Sequence, residues 1–206
     1  MDHYYVNNYK LKHNENQFNF TLLGNTLNFI TDNGVFSKKT IDFGTRTLLE
    51  AIDSLFNDEN IDKSSSILDL GCGYGAIGLS IAKKYSQCCV DMVDVNERAI
   101  SLAKRNAILN DINNVHIGVS NVYNGVHKKY GLIVTNPPIR AGKSVVKKFV
   151  GNSKEHLLSN GVCLAVIQKK QGALSIKKYL ETIFLNCRII YKNKGYFVLK
   201  SVNYEK

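Results

Sequence analysis

The sequence predicts an α/β fold: a mostly parallel sheet with helices on both faces, an antiparallel C-terminal hairpin, and a smaller N-terminal β-hairpin. Three observations carry that reading. From residue 66 onward, short continuous apolar runs alternate with amphipathic stretches of helical period, as expected of strands buried on both faces of a parallel sheet. The first of these runs ends on a glycine-rich turn that opens a helix, the arrangement of a nucleotide-binding crevice at a strand's carboxyl end. The last two runs, on either side of 192–195, are too close for a crossover, so at least one strand is antiparallel.

The elements follow in order. Residues 1–17 are polar, rich in asparagine and without periodicity; they read as a flexible arm, with Tyr4 and Tyr5 able to tuck onto the body. FNFTLLGNTLNFIT (18–31) alternates apolar and polar residues around Gly24-Asn25, a hairpin with a tight turn. Asp32-Asn33-Gly34 is a second turn. TRTLLEAIDSLF (45–56) places Leu48, Leu49, Ile52, Leu55 and Phe56 on one helical face, and 57–65 is a polar link. SILDL (66–70) is a strand, 76–85 a helix, and CCVDMVD (88–94) the next strand. Asn96 caps a helix over 97–110 whose stripe is Ala99, Ile100, Ala103 and Ala107. VHIGV (115–119) and YGLIVT (130–135) are strands, 142–158 a helix, VCLAVIQ (162–168) a strand opened by Gly161, and 173–184 a helix. Residues 18–206 are expected to form one domain, with 18–44 a hairpin extension and 45–206 the core.

Composition bounds the function. A chain of 206 residues buries a core without disulfides or metal. Hydrophobic residues at 44% and charged residues at 21% exclude disorder and fibrous repeats. No apolar run nears the ~20 residues that cross a bilayer, and the first ten residues lack a basic region followed by an apolar one. Cys72, Cys88, Cys89, Cys163 and Cys187 are odd in number, form no CxxC, and have no histidine at ligand spacing. The expectation is a reducing cytoplasm, buried thiols and no metal. The net charge of +10 is segregated: residues 1–139 hold 13 Lys+Arg and 14 Asp+Glu, residues 140–206 hold 14 and 3. Such a split suggests a surface that meets a polyanion, with nucleic acid the leading partner; a solvated lysine-rich face is the alternative.

Two turns carry the chemistry. In Asp69-Leu70-Gly71-Cys72-Gly73-Tyr74-Gly75-Ala76-Ile77-Gly78 the glycines let backbone approach a ligand, and residues 73–78 read GxGxxG. Asp94, at the end of the next strand, suits ribose hydroxyls. Spacing alone admits NAD, FAD or another adenosine ligand. Asp69 favours a cationic one such as S-adenosylmethionine over a pyrophosphate, unless it merely caps turn amides. In Thr135-Asn136-Pro137-Pro138-Ile139 the prolines remove donors and leave acceptors. The Asn136 side-chain oxygen and the Pro137 carbonyl suit one NH₂ group, whose lone pair would then face an electrophile. The bland alternative is a strand-ending turn.

DLGCGYGAIG, VDVNERAI, SNVY and NPPI resemble the motifs of class I S-adenosylmethionine-dependent methyltransferases. GVFSKKTIDFGTRTLLEAI, NPPIRAGK and VIQKKQGA are similar to the RsmC-like ribosomal RNA small-subunit guanine-N2 methyltransferases in a short single-domain form, over about 18–202. The resemblance implies a Rossmann-like seven-stranded sheet and S-adenosyl-L-methionine as cofactor. It implies that Asp69, Gly71 and Gly73 hold the methionine end, Asp94 the ribose with Asn96 close by, and Asn121 the adenine. Asp42-Phe43-Gly44-Thr45 would close over the methionine tail, with Thr45 a cofactor contact. Asn136, Pro137, Pro138 and Ile139 would grip the target base. Many amine methyltransferases carry an aromatic residue where Ile139 stands, so clamping would fall to another residue, for which Phe36 is the choice. The implied partner is ribosomal RNA or the small subunit, met by Arg140, Lys143, Lys147, Lys148, Lys169 and Lys170; no histidine (3, 13, 116, 127 or 156) is assigned a catalytic role. Rival readings keep the turn and change the acceptor to adenine N6 or a protein glutamine amide, make the chain an NAD-dependent oxidoreductase, or make it a non-catalytic RNA-binding module.

Overall fold

The computed structural model describes residues 11–58 and 66–204. β1 (Asn16–Leu22) and β2 (Asn25–Thr31) pair antiparallel. Their turn is Leu23-Gly24, with φ of 52° and 80°, the two-residue turn whose twist matches its strands. It falls one residue before the expected Gly24-Asn25, because Asn25 pairs with Leu22. Residues 11–14 of the arm make contacts with the body. Asp32, almost fully buried, accepts from the Asn14 N–H at 2.6 Å and bonds His13 Nδ1 at 2.5 Å. Arg98 ties the same segment down by donating to the Leu11 carbonyl at 2.7 Å. Residues 1–10, including Tyr4 and Tyr5, and the link from 59 to 65 lie outside the described residues.

α1 (Phe43–Asp58) starts two residues earlier than its apolar stripe suggests, because Asp42 caps it: its Oδ1 accepts from the Thr45 N–H at 3.1 Å. Seven strands then form one sheet: β3 (Ser66–Leu70), β4 (Cys89–Asp94), β5 (Val115–Val119), β6 (Tyr130–Thr135), β7 (Leu157–Gln168), β8 (Arg188–Asn193) and β9 (Tyr196–Val202). Their order is β5-β4-β3-β6-β7-β9-β8, with β9 antiparallel to both neighbours and the first five parallel. The connecting helices are α2 (Ala76–Lys84), α3 (Glu97–Leu109), α4 (Lys143–Gly151) and α5 (Ala173–Phe184).

Strand alternation divides the core. Ile67, Val90, Leu132, Val134 and Leu164 pack with α1, α2, α3 and the N-terminal hairpin. Leu68, Leu70, Ile133, Cys163 and Ala165 pack with α4 and α5. The hairpin is fastened by Asn106 of α3, which accepts from the Ile30 N–H at 2.7 Å and donates to the carbonyls of Ile30 and Tyr74 at 3.0 and 2.9 Å.

The helix expected over 142–158 stops at Gly151 and gives way to a 3-10 turn over Asn152–His156, and β7 begins at Leu157. Gly151 ends α4 against Tyr179, whose hydroxyl would lie 2.5 Å from a Cβ there. Gly161 sits inside β7 at a register shift, where a Cβ would come within 2.9 Å of the Leu158 and Tyr130 carbonyls. All five cysteines are free; four are buried and Cys89 is half-buried.

Candidate active site

Between β3 and β6 the strand order changes direction, which opens a crevice at their carboxyl ends. A cavity of about 600 Å³ lies there. Its floor is the turn after β3. Gly71 and Cys72 donate their N–H groups to the Val93 carbonyl at 2.8 and 3.0 Å, which ties the turn to the end of β4. Gly71 has φ of 77°, and a Cβ there would lie 2.9 Å from the Phe149 ring; only glycine fits. Asp94, on the same wall, accepts from the Gly73 and Asn96 N–H groups at 2.9 Å each. Burial pushes its carboxyl above the usual range despite those donors.

Of the residues expected to hold a cofactor, Gly71, Gly73, Asp94, Asn121 and Thr45 line the cavity. Asp69 and Asn96 do not. Asp69 is fully buried beneath α2, where its Oδ2 accepts from the Gly78 N–H at 2.8 Å and its Oδ1 has no partner among the described residues. Burial pushes its carboxyl up to about 7, the Asp94 charge adds to this, and the Gly78 N–H opposes it. Asp69 thus holds the first turn of α2 through Gly78. Asn96 is also buried: it caps α3 by accepting from the Arg98 and Ala99 N–H groups, and donates to the Gly34 carbonyl at 2.9 Å. It bears on the site through its N–H bond to Asp94 and through the loop that carries Val35 and Phe36. Phe36 lines the cavity and is 44% exposed, so its ring is accessible there.

All four residues of the Asn-Pro-Pro-Ile turn line the same cavity. Thr135 anchors the turn, donating its hydroxyl to the Leu70 carbonyl at 2.8 Å. The Asn136 Nδ2 donates to both oxygens of Asp42, at 3.2 and 3.4 Å, and to the Thr45 hydroxyl at 3.1 Å. A carboxylate only accepts, so the amide's nitrogen faces Asp42 and its oxygen faces the opposite way.

Sequence reasoning missed several cavity residues: Gln171, Tyr196, Val145 and Phe149, and the Asp42–Asn136 contact. Tyr196 arrives because antiparallel β9 pairs it with Gln168 at the carboxyl end of β7. No local pattern announces that. Of the basic candidates, Arg140 lines the cavity; Arg140, Lys143, Lys148, Lys169 and Lys170 are exposed, while Lys147 lies over the Tyr179 ring at 4.5 Å. None of the described histidines lines the cavity, and His3 lies outside the described residues.

One trio of possible metal ligands comes together among the described residues: Cys89, Asp91 and His116, with ligand atoms within 4.8 Å of one another. Sequence spacing hid it, because β4–β5 register pairs Asp91 with His116. Asp91 Oδ2 already accepts from Lys128 at 3.1 Å and from the Tyr130 hydroxyl at 2.7 Å.

Seven strands in this order, a glycine turn under the cavity and an Asn-Pro-Pro turn beside it define the class I methyltransferase fold. The family model of the methyltransferase small domain matches residues 26–200, and the chain belongs to that family. It is 42% identical over 202 residues to YbxB of Bacillus subtilis (strain 168), an uncharacterized protein, covering 97% of this chain and 98% of that one. It is 31% identical over 172 residues to ribosomal RNA small subunit methyltransferase C of Buchnera aphidicola subsp. Schizaphis graminum, covering 82% of this chain and 48% of that protein. Among solved structures it resembles the T. thermophilus 16S rRNA N2 methyltransferase RsmC in complex with AdoMet and guanosine, with TM-score 0.79, 26% identity, and 91% and 50% of the two chains covered. The chain thus spans about half the length of the methyltransferase C relatives it matches.

Proposed function

We propose that this chain binds S-adenosylmethionine in the cavity and transfers its methyl group to the exocyclic N2 amine of a guanine in small-subunit ribosomal RNA. The observation that carries the reading is the Asn136 amide. Its nitrogen is spent on Asp42 and Thr45, so its oxygen is the end available to an amine. The AdoMet and guanosine bound by the T. thermophilus relative support the choice of cofactor and base.

The residues present fit the cofactor. The space beside Gly73 is open, with nothing within 4 Å of where a Cβ would stand, so a ligand can rest against its backbone. The Asp94 carboxylate suits ribose hydroxyls, and Asn121 on the adjacent wall suits adenine. Bound there, S-adenosylmethionine supplies a methyl group on a sulfonium. The chain's own residues hold the acceptor. Asn136 Oδ1 and the Pro137 carbonyl accept the two N2 hydrogens and turn the nitrogen lone pair toward the methyl, and positioning of this kind supplies several kcal/mol. Ile139 packs on one side of the base, and Phe36 offers a ring on the wall of the same cavity. The base must leave its stack to reach the cavity, at a cost of a few kcal/mol. The amine can lose its proton after transfer, so no general base is assigned. Phosphate contacts fall to the exposed Arg140, Lys143, Lys148, Lys169 and Lys170, in the cytoplasm where ribosomal RNA is made.

Mass mapping of ribosomal RNA from a strain lacking the gene tests the reading. A methyl group missing from one small-subunit guanine is the expected result; an unchanged map, or a loss from adenine, overturns it. In vitro, Asn136→Ala should cut turnover at least about 100-fold, in the range for a lost positioning contact, and leave cofactor affinity within about twofold.

A further inference from the structure

We propose that Asp42 is a positioning residue for the transfer: it decides which end of the Asn136 amide faces the acceptor amine. The inference rests on the reading of Asn136 above and deepens it. The two ends of an asparagine amide have nearly the same shape and opposite hydrogen-bonding sense. Were the amide turned over, its NH₂ would meet the acceptor's NH₂, donor against donor, and the lone pair would lose its orientation.

Thr45 cannot choose between the two arrangements, because a hydroxyl both donates and accepts. Asp42 can. Both of its oxygens lie within reach of Asn136 Nδ2, at 3.2 and 3.4 Å, and a carboxylate offers nothing to an amide oxygen except repulsion. Asp42 is itself held in place, as the cap of α1 through the Thr45 N–H at 3.1 Å. Gly44 allows close packing around it, since a Cβ there would stand 3.0 Å from both Asp42 Oδ1 and the Tyr196 ring. The carboxylate also polarises the amide, because a charge-assisted bond at the nitrogen leaves the oxygen a stronger acceptor. The 42–45 segment thus serves the acceptor side of the reaction through Asp42.

The test separates this role from helix capping. Asp42→Ser keeps an oxygen that caps the Thr45 N–H but is too short to reach Asn136. Asn136→Asp sets a carboxylate against Asp42, and Asp42→Asn combined with Asn136→Asp restores one donor facing one acceptor with the roles exchanged. Turnover is measured with radiolabelled S-adenosylmethionine on small ribosomal subunits from a strain lacking the gene, and cofactor affinity by calorimetry. In Asp42→Ser, kcat should fall about 10- to 100-fold, the loss expected of one hydrogen bond to a charged group, with KM for subunits and cofactor affinity within about twofold. The exchanged pair should turn over at least about tenfold faster than Asn136→Asp alone. If Asn136→Ala is inactive but Asp42→Ser has wild-type kcat, or the exchanged pair is no faster than Asn136→Asp, the inference is overturned and the reading of Asn136 stands. If the wild-type protein leaves the subunits unlabelled, or Asn136→Ala labels them normally, both fall. Should Asp42→Ser fail to fold, the exchanged pair decides.

Discussion

Asp69→Asn should change how stability depends on pH, with a sign and size set by one buried carboxyl. The folded protein raises this group from 3.8 to about 7. The folded state therefore holds its proton more tightly than the unfolded state does. The stability this confers is complete below pH 3.8 and is lost as pH rises through about 7. The full difference is about 4 kcal/mol, a large part of the roughly 5–15 kcal/mol that stabilises a domain. Asparagine keeps an oxygen for the Gly78 N–H but places an NH₂ where Oδ1 has no partner, which costs about 1–3 kcal/mol at every pH. The variant should be less stable than wild type at pH 4.5 and gain about 3 kcal/mol on it by pH 8. Urea unfolding of both proteins across that range measures the difference, and titrating groups not coupled to Asp69 cancel. A difference that stays flat with pH would refute the argument that Asp69 is an uncompensated buried acid.

Three further outcomes are expected. Gly71→Ala must adopt φ of 77° and displace the Phe149 ring; thermal melts should show a loss of about 2 kcal/mol, and calorimetry weaker cofactor binding. Asn106→Ala leaves the Ile30 N–H and the Ile30 and Tyr74 carbonyls unpaired in the interior, so urea unfolding should register about 3 kcal/mol or more. Replacing Lys169 and Lys170 together with alanine should weaken RNA binding and reduce the slope of log K against log salt by about 1 to 2; an unchanged slope would remove them from the interface.

The sheet was legible where short apolar runs stand between helical stretches. SILDL, VHIGV and YGLIVT are strands at the expected residues, and so is the helix 173–184. The sequence could not show where α4 ends, because Leu157 and Leu158 continue an apolar period that the strand claims for itself. Asp69 and Asn96 stay off the cavity lining for different reasons. Asp69 stands at the expected spacing before the glycines, but strand parity turns it with Ile67 toward α2 while Leu68 and Leu70 face α4. Spacing along a chain does not report parity at a strand's end. Asn96 caps α3 as its position before the apolar stripe predicts, and its side chain is turned to that helix end and the Gly34 carbonyl. Tyr196 was invisible because only the antiparallel return of β9 brings it to the site, and Gln171 because nothing local shows that the turn after β7 reaches the cavity.

That return also explains how charge spread along the last third of the chain can act at one place. Not all of the excess is available to a partner. Lys177 pairs with Glu181, Lys154 donates to the Ile183 carbonyl at 2.8 Å, and Lys147 and Lys192 lie over the rings of Tyr179 and Phe197. Part of the rest is gathered by topology. β6 and β7 run parallel, so Arg140 after one and Lys169-Lys170 after the other both follow carboxyl ends of the sheet. β9 runs back, so the β8–β9 turn meets them there, with Lys194 over the Phe43 ring at 5.1 Å and the Lys169 N–H donating to the Gly195 carbonyl at 2.8 Å. Arg140, Gln171 and Tyr196 from these three segments all line the cavity, whereas the β3–β4 side carries Asp94. Under the proposed function, Asp94 would face the cationic cofactor and Arg140 the entering phosphate backbone. That polarity favours the two substrates on opposite sides of Asn136, which in-line transfer to a base requires.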